Sequence, residues 1–170
     1  MLDSLRIAEC RHGRGLFAAR AFIPGELILN LSGSRYGREH PIHDTARGAN
    51  LLQTGWRTYI MLESPGVYAN HSCNPNAGIQ GNRNLVAIRP IASGDEICFD
   101  YSTTMAENFW TMPCCCGELC CRGVVEDFGK LPREIRTRYL ALGVVQRFIA
   151  RRYTATGPDL DHRSSPDSVA

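Results

Sequence analysis

Residues 70–76 read Asn-His-Ser-Cys-Asn-Pro-Asn, a polar loop with a proline between two turn-forming asparagines. Taken alone, this composition is typical of an Asx-rich connection. His71 next to Ser72 does not make a hydrolase, because the chain lacks the nucleophile elbow G-x-S-x-G and neighbouring side chains on an extended strand point apart. The role of the loop therefore depends on the segments that flank it.

Short β-rich runs lie on both sides of the loop. Branched and aromatic residues gather between glycine and proline turns in four runs, at residues 27–31, 57–62, 84–88 and 96–99. Residues 33–55 are polar and irregular, which predicts an insertion with little regular structure. The first hundred residues are expected to be mostly β, and a helix near the C-terminus makes the chain α+β by class.

The last part of the chain predicts one helix followed by a tail. Pro132 suits the first turn of a helix, and apolar residues then recur at helical spacing. These residues are Ile135, Tyr139, Leu142, Val145 and Ile149. We expect an amphipathic helix within residues 124–153. Residues 154–170 offer no packing face, so they are expected to be a disordered tail.

The composition excludes several classes of protein. The chain has 170 residues, of which 44% are hydrophobic and 21% charged, as in one globular domain with a buried core. A net charge of +2 lacks the dense basic footprint of a dedicated nucleic-acid binder. No apolar run reaches the roughly 18 residues of a membrane span, and Asp3 and Arg6 interrupt the place of a signal peptide. We expect a soluble intracellular protein, cytoplasmic or nuclear, with no membrane partner.

Crowded cysteines indicate metal ligation. Five of the eight fall within one short segment: Cys114, Cys115, Cys116, Cys120 and Cys121. Adjacent cysteines are poor disulfide partners and intracellular thiols stay reduced, so zinc is favoured over a disulfide framework. Cys114, Cys116 and Cys121 would wrap one side of a tetrahedral zinc, with Cys73 as the fourth donor. Cys115 and Cys120 repeat the same spacing, so spacing alone leaves both sets of ligands open.

Two more segments carry candidate chemistry. Residues 12–18 satisfy the dinucleotide pattern G-x-G-x-x-A, but Pro24 and Gly25 follow where a long helix would be needed. What remains is a glycine pair that lets the backbone approach a ligand, or a tight turn. Residues 94–101 form a turn that runs into a strand, on which Phe99 and Tyr101 alternate onto one face.

In this order the segments resemble the SET-domain family of protein lysine methyltransferases. The resemblance rests on G-x-G at 13–15, N-H-S-C-x-P-N at 70–76, E-Φ-x-F-D-Y at 96–101 and the post-SET pattern C-x-C-x4-C-R-G at 114–123. It implies a SET fold of several short twisted sheets with a pseudoknot, a cysteine-rich post-SET zinc loop and a C-terminal helix. The implied organisation is a SET domain over 1–102 with a variable insert at 33–55, a post-SET zinc segment over 103–123, the helix and the tail.

The resemblance also implies the activity, which is methyl transfer from S-adenosylmethionine to the side-chain amine of lysine in a protein substrate. Histones and histone-like proteins are among the candidate substrates. Tyr101 would be the catalytic tyrosine, orienting the reactants rather than acting as a strong base. The implied cofactor-binding residues are Gly13, Arg14, Gly15, Asn70, His71 and Tyr101. The implied ligands of one structural zinc ion are Cys73, Cys114, Cys116 and Cys121.

Two departures from the family pattern bear on the number of methyl groups added and on the wall of the lysine channel. Phe99 matches the position where family members tune product multiplicity, and a phenylalanine without a hydroxyl predicts that di- or trimethylation is permitted. Residues 30–34 read Asn-Leu-Ser-Gly-Ser, where many members have E-Y-x-G-E with a tyrosine in the lysine channel. Tyr59 and Tyr68 are the candidates to replace that aromatic wall.

Other readings of the chain lead to different functions. A catalytically weak SET-fold module that binds a protein or peptide is the alternative to an enzyme. The helical region carries seven basic residues against one acid, Glu134. Such a run is more often a solvated face, and it allows at most a weak contact with nucleic acid.

Overall fold

The computed structural model describes residues 2–11, 13–108 and 110–154, and it confirms a mostly β fold. The strands are β1 (Leu5–Cys10), β2 (Gly13–Ala18), β3 (Leu27–Asn30), β4 (Gly33–Gly37), β5 (Leu51–Gly55), β6 (Thr58–Leu62), β7 (Asn70–His71), β8 (Ala77–Gln80), β9 (Asn84–Ala87), β10 (Cys98–Phe99), β11 (Met112–Pro113) and β12 (Val124–Val125). The helices are α1 (Arg133–Ala141) and α2 (Arg147–Thr154). Short 3-10 turns, among them Tyr101–Thr104, connect the strands.

Within the described residues the strands form five small sheets. β1 pairs antiparallel with β2, β3-β9-β8 and β4-β6-β5 are three-stranded, β10 pairs with β7, and β11 pairs with β12. The predicted runs are confirmed as β3, β6, β9 and β10. The other eight strands named above were not predicted, because they are very short or have polar or glycine-containing sequences that do not alternate clearly.

The polar segment 33–55 is more regular than its composition predicts. Its two ends are β4 and β5, which flank β6 on either side. Only the middle of the segment is irregular, with 3-10 turns at Pro41–Asp44 and Ala46–Asn50. β4 is largely exposed along one edge of its sheet, so its residues can be polar without losing the strand. The expectation of little regular structure is therefore wrong for both ends.

The single predicted amphipathic helix is two helices. Gly143 has a φ of +66°, a left-handed conformation that ends α1 and separates it from α2. Tyr139 in α1 and Ile149 in α2 nevertheless reach the same apolar cluster, which is why the helical spacing continued across the break. The predicted tail, apart from Thr154, lies outside the described residues, as does His12 of the glycine motif.

Two apolar clusters share β9 between them. Leu85 packs into the larger cluster with Leu16, Leu31 and Ile79. Its neighbour Val86 points to the opposite face and packs against the smaller cluster, which belongs to the C-terminal helices. β9 is therefore buried on both faces, and the two helices cover the sheet that would otherwise be open. No helix in the described part of the chain is long and apolar enough to cross a membrane.

The parallel pair β7 and β10 brings two distant motifs together. Asn70 lies opposite Cys98, and His71 lies opposite Phe99. Each strand is only two residues long, so the pairing holds the ends of two motifs side by side rather than building an extended sheet. Tyr101 follows directly after β10 and is placed beside the polar loop.

Candidate functional site

Tyr101 is fixed at the start of a 3-10 turn. Its backbone N–H donates to His71 Nδ1 at 3.2 Å, and its hydroxyl donates to the carbonyl of Ala69 at 3.0 Å. Burial is the main cause that raises the pKa of Tyr101 above its ordinary value. The hydroxyl is therefore protonated at neutral pH and acts as a hydrogen-bond donor rather than as a base.

Tyr101 lines two cavities. A cavity of about 590 Å³ is lined by Tyr101 together with Phe99, Tyr59 and Trp110. A second cavity, of about 180 Å³, is also lined by Tyr101, with His71 and the cysteine loop. Tyr101 is therefore a residue that the two cavities share.

A third cavity, of about 170 Å³, adjoins the second. Both are lined by Asn70, His71 and Cys116, so together they form one recess beside Tyr101. The third cavity adds Arg11 and Glu118 to this recess. Neither residue was singled out by sequence reasoning, since no motif marks them.

Asn70 connects the glycine motif to this recess. Its Nδ2 donates to the carbonyl of Arg14 at 3.2 Å and to Glu96 Oε1 at 2.8 Å. A Cβ on Gly15 would lie 2.5 Å from the same Glu96 oxygen, so a larger residue there would displace the carboxylate that holds the Asn70 amide. Gly13 has a φ of +99°, which also favours glycine.

The predicted cofactor residues therefore fall into two groups. Gly13, Arg14 and Gly15 line none of the three cavities and reach the recess through Asn70. The Arg14 side chain turns away to Tyr68, with its guanidinium 4.6 Å from the ring centroid. The sequence did not single out Glu96, although it is the first letter of E-Φ-x-F-D-Y.

His71 is buried and neutral. Burial lowers its pKa to about 4, even though Asp100 opposes the change. Because Nδ1 accepts from the Tyr101 N–H, the proton lies on Nε2, which is 3.4 Å from the Cys73 sulfur. The imidazole therefore links the polar loop, the tyrosine and the first of the predicted metal ligands.

The four predicted ligands form one cluster. The sulfurs of Cys73, Cys114, Cys116 and Cys121 all lie within 4.8 Å of one another. Cys73 to Cys114 is 3.8 Å and Cys114 to Cys121 is 3.6 Å. A tetrahedron with metal–sulfur bonds of about 2.3 Å has edges of about 3.8 Å, so the cluster has the size that a tetrathiolate site requires.

The alternative set of cysteines is not part of this cluster. Cys115 and Cys120 are exposed, and the Cys120 thiol instead lies 3.8 Å from the carbonyl of Cys73. Burial raises the pKa of Cys73 to about 11, and the backbone N–H of Arg122 opposes this shift. A cation is the group that would hold such thiols as thiolates.

Asp100 ties the tyrosine turn to the rest of the chain. Its side chain is 1% exposed and accepts from Arg122 Nη2 at 2.8 Å, from Tyr139 Oη at 3.0 Å and from the N–H of Ser102 at 3.1 Å. Burial opposes the charge of Arg122, but Asp100 outweighs it and raises the pKa of that guanidinium. The Arg122 N–H also donates to Cys73 Sγ at 3.4 Å.

This network was missed by sequence reasoning. Asp100 belongs to the F-D-Y pattern and Arg122 to the C-R-G pattern, so both motifs could have marked these residues as important. Tyr139 was assigned only to the apolar face of a helix. The structure shows that Tyr139 packs its ring in the helical cluster and aims its hydroxyl at Asp100. The helices are thus joined to the site by a buried polar contact.

The larger cavity has an aromatic wall. Of the two candidate tyrosines, Tyr59 lines it and donates its hydroxyl to Glu107 Oε1, whereas Tyr68 packs against Arg14. Burial and the Glu107 carboxylate raise the pKa of Tyr59. The Phe99 ring lies 4.8 Å from that of Tyr101, centroid to centroid.

Known proteins are similar to this chain in sequence. The family model described as SET domain matches residues 13–102, more than half of the chain. Methyltransferase flvH of Aspergillus flavus is 29% identical over 111 residues, which cover 64% of this chain and 62% of that protein. Histone-lysine N-methyltransferase 2B of Homo sapiens is 27% identical over 128 residues, which cover 65% of this chain and 5% of that protein.

Solved structures show the same fold. A structure of KRYPTONITE in complex with mCHG DNA and SAH superposes with a TM-score of 0.55 at 18% identity, over 72% of this chain and 29% of that one. A humanized mutant of Chaetomium thermophilum Polycomb Repressive Complex 2 gives a TM-score of 0.51 at 20% identity, over 61% of this chain and 15% of that one. With the family match over its glycine, polar-loop and tyrosine motifs, this chain belongs to the SET domain family.

Proposed function

We propose that this protein transfers the methyl group of S-adenosylmethionine to the side-chain amine of a lysine in a protein substrate. The observation that carries the proposal is the place of Tyr101, which lines both the large cavity and the recess. Methyl transfer is an in-line displacement, so it requires the two reactants to approach from opposite sides of one point.

The recess fits the cofactor. Asn70 and His71 line it, and the Asn70 amide is held by the backbone of the glycine motif and by Glu96. S-adenosylmethionine, when bound, supplies a methyl group on a positively charged sulfur. We assign its binding to Gly13, Arg14, Gly15, Asn70, His71 and Tyr101.

The large cavity fits the lysine side chain. Its wall of Tyr59, Phe99, Tyr101 and Trp110 offers apolar surface to the aliphatic stem of the side chain. A free lysine has a pKa near 10.4, but burial and a nearby positive charge both favour the neutral amine. The proton leaves to water, after which the nitrogen forms its bond to the methyl carbon as the carbon–sulfur bond breaks.

Tyr101 orients this reaction. Its hydroxyl is protonated and already donates to the carbonyl of Ala69, so its oxygen presents lone pairs and its position is fixed. A group held in this way contributes alignment and local electrostatics rather than proton transfer. Tyr101 is accordingly the catalytic residue of the proposal.

Phe99 sets how many methyl groups are added. It is 3% exposed and lies beside Tyr101 without a hydroxyl that would hold a water molecule. A partly methylated amine therefore keeps room to turn in the large cavity. We infer that the enzyme permits di- or trimethylation.

The cysteine cluster is assigned to one structural zinc ion. Cys73 belongs to the polar loop, and Cys114, Cys116 and Cys121 belong to the later segment. A metal at this point would hold residues 103–123, the post-SET segment, against the SET domain of residues 1–102. The cluster requires reduced thiols, which supports an intracellular location.

Transfer of labelled methyl from S-adenosylmethionine to histones and cell-lysate proteins tests the proposal. Wild type is compared with Tyr101→Phe and with Tyr36→Phe, a matched control on β4 that lines none of the three cavities. We expect label on lysines with wild type and Tyr36→Phe, and its loss in Tyr101→Phe. Binding of the cofactor without label in any of these mixtures would contradict the proposal and favour the binding module.

A further inference from the structure

The outer face of α2 is unusually basic. At about 100° per residue, Arg147, Arg151, Phe148 and Arg152 follow one another around an arc of about 140°. The three arginines are exposed, while Ile149 on the opposite face is 2% exposed in the helical cluster. The helix sequence, Arg-Phe-Ile-Ala-Arg-Arg-Tyr-Thr, contains no acidic residue.

An exposed aromatic ring adjoins this arc. Trp56, in the turn between β5 and β6, is 50% exposed, and its ring lies 5.1 Å from that of Phe148 at an angle of 76°. The Arg147 guanidinium lies on the turn between β8 and β9, 3.5 Å from where a Cβ on Gly81 would be. The same turn carries the exposed Arg83. We call Trp56, Arg83, Arg147, Phe148, Arg151 and Arg152 the α2 surface.

Charge is concentrated in this part of the chain. Residues 128–154 contain seven basic residues and one acidic residue, although the whole chain has a net charge of only +2. Trp56, Arg147 and Arg151 line none of the three cavities around Tyr101. The charge therefore serves neither the recess nor the large cavity.

We propose that the α2 surface binds single-stranded nucleic acid. Arginine suits this ligand because its planar fork pairs with phosphate oxygens, and every residue of the strand carries a phosphate. A half-exposed tryptophan between such arginines offers a stacking platform for an unpaired base. A single strand presents a phosphate and an unpaired base at every residue, which matches arginines beside an exposed tryptophan; an acidic protein is the competing ligand that the test below includes.

Fluorescence anisotropy with a labelled 12-nucleotide single strand tests this inference on the full chain. Contacts from the four arginines to phosphates predict a slope of about −3 for log affinity against log salt concentration. The variant that combines Arg83→Gln, Arg147→Gln, Arg151→Gln and Arg152→Gln is expected to bring that slope close to zero. The control variant, Arg133→Gln with Arg138→Gln, removes exposed charge from α1 and is expected to keep most of the wild-type salt slope.

Trp56→Ala separates stacking from charge. Loss of one stacked base predicts an affinity at least about fivefold lower with little change in the salt slope. The inference is overturned if Trp56→Ala binds like wild type, if a duplex binds as tightly as the single strand, or if polyglutamate binds as tightly. These readouts involve no methyl transfer, so they succeed or fail independently of the proposed enzymatic activity.

Discussion

Substituting Tyr139 by phenylalanine removes one hydroxyl from the network that joins the helices to the site. Tyr139 and Asp100 are each 1% exposed, and the hydroxyl donates to Asp100 Oδ2 at 3.0 Å. Burial is the first cause that raises the pKa of Tyr139, so the hydroxyl stays protonated and keeps donating. Arg122 and the N–H of Ser102 donate to the other oxygen, Oδ1.

The size of the effect follows from what the substitution leaves behind. Phenylalanine keeps the ring packed in the helical cluster, so no cavity forms. It leaves Oδ2 of a buried carboxylate without the hydrogen bond from residue 139, and hydrogen bonds to charged groups contribute about 1.5–3 kcal/mol. We therefore expect the free energy of unfolding to fall by about 2 kcal/mol, and the melting temperature to fall by about 4–8 °C in a chain of this length.

Urea denaturation with metal held in fixed excess measures this difference. The control is Tyr153→Phe, whose ring packs against Phe128 in the same cluster at 5.2 Å. We expect this control to change the free energy of unfolding by no more than about 0.5 kcal/mol. A loss below that value in Tyr139→Phe, or an equal loss in both variants, would show that the Asp100 contact is not a stabilising link.

Three further substitutions test the site. Cys121→Ser should lower metal affinity at least about tenfold in competition with a chromophoric chelator, because it removes one of the four ligands. Cys115→Ser, which changes an exposed cysteine outside the cluster, should leave the affinity unchanged, and equal affinities of the two variants would exclude the assigned cluster. Gly15→Ala places a Cβ 2.5 Å from the Glu96 oxygen that accepts from the Asn70 amide, so calorimetry should show about tenfold weaker binding of S-adenosylhomocysteine. Gly37→Ala, at a position where a Cβ has space, should bind S-adenosylhomocysteine as wild type does. Phe99→Tyr should shift the products toward monomethyl-lysine in mass spectra, and an unchanged product distribution would refute the role of this residue.

The cysteine cluster was the most predictable part of the site. Spacing alone left Cys115 and Cys120 open as ligands, and the family resemblance selected Cys73, Cys114, Cys116 and Cys121, whose sulfurs the structure brings together. The roles of the glycine pair, the polar loop and Tyr101 are proposals that rest on their motifs. Asp100 and Arg122 lie inside the same motifs, but their partnership is set by burial and by distance in space. The hydrogen bond of Tyr139 could not be predicted, because a tyrosine on the apolar face of a helix is expected in the core whether or not its hydroxyl has a partner.

The fold was predictable where apolar residues alternate clearly between turns. β3, β6 and β9 are of this kind, since each is buried against one of the two clusters. β10 lies at the end of a predicted run, whereas β7 was not predicted, because a strand of two residues that is held by long-range pairing leaves no periodic pattern. The break between α1 and α2 depends on the conformation of Gly143, and the apolar spacing ran across it unchanged.

A crystal structure with S-adenosylhomocysteine and a lysine-containing substrate peptide would locate both reactants. We expect the cofactor sulfur in the recess beside Asn70 and His71, and the lysine nitrogen in the large cavity beside Tyr59. The Tyr101 hydroxyl should lie between these two atoms. A cofactor and a lysine that share one cavity, or that both lie away from Tyr101, would contradict this expectation.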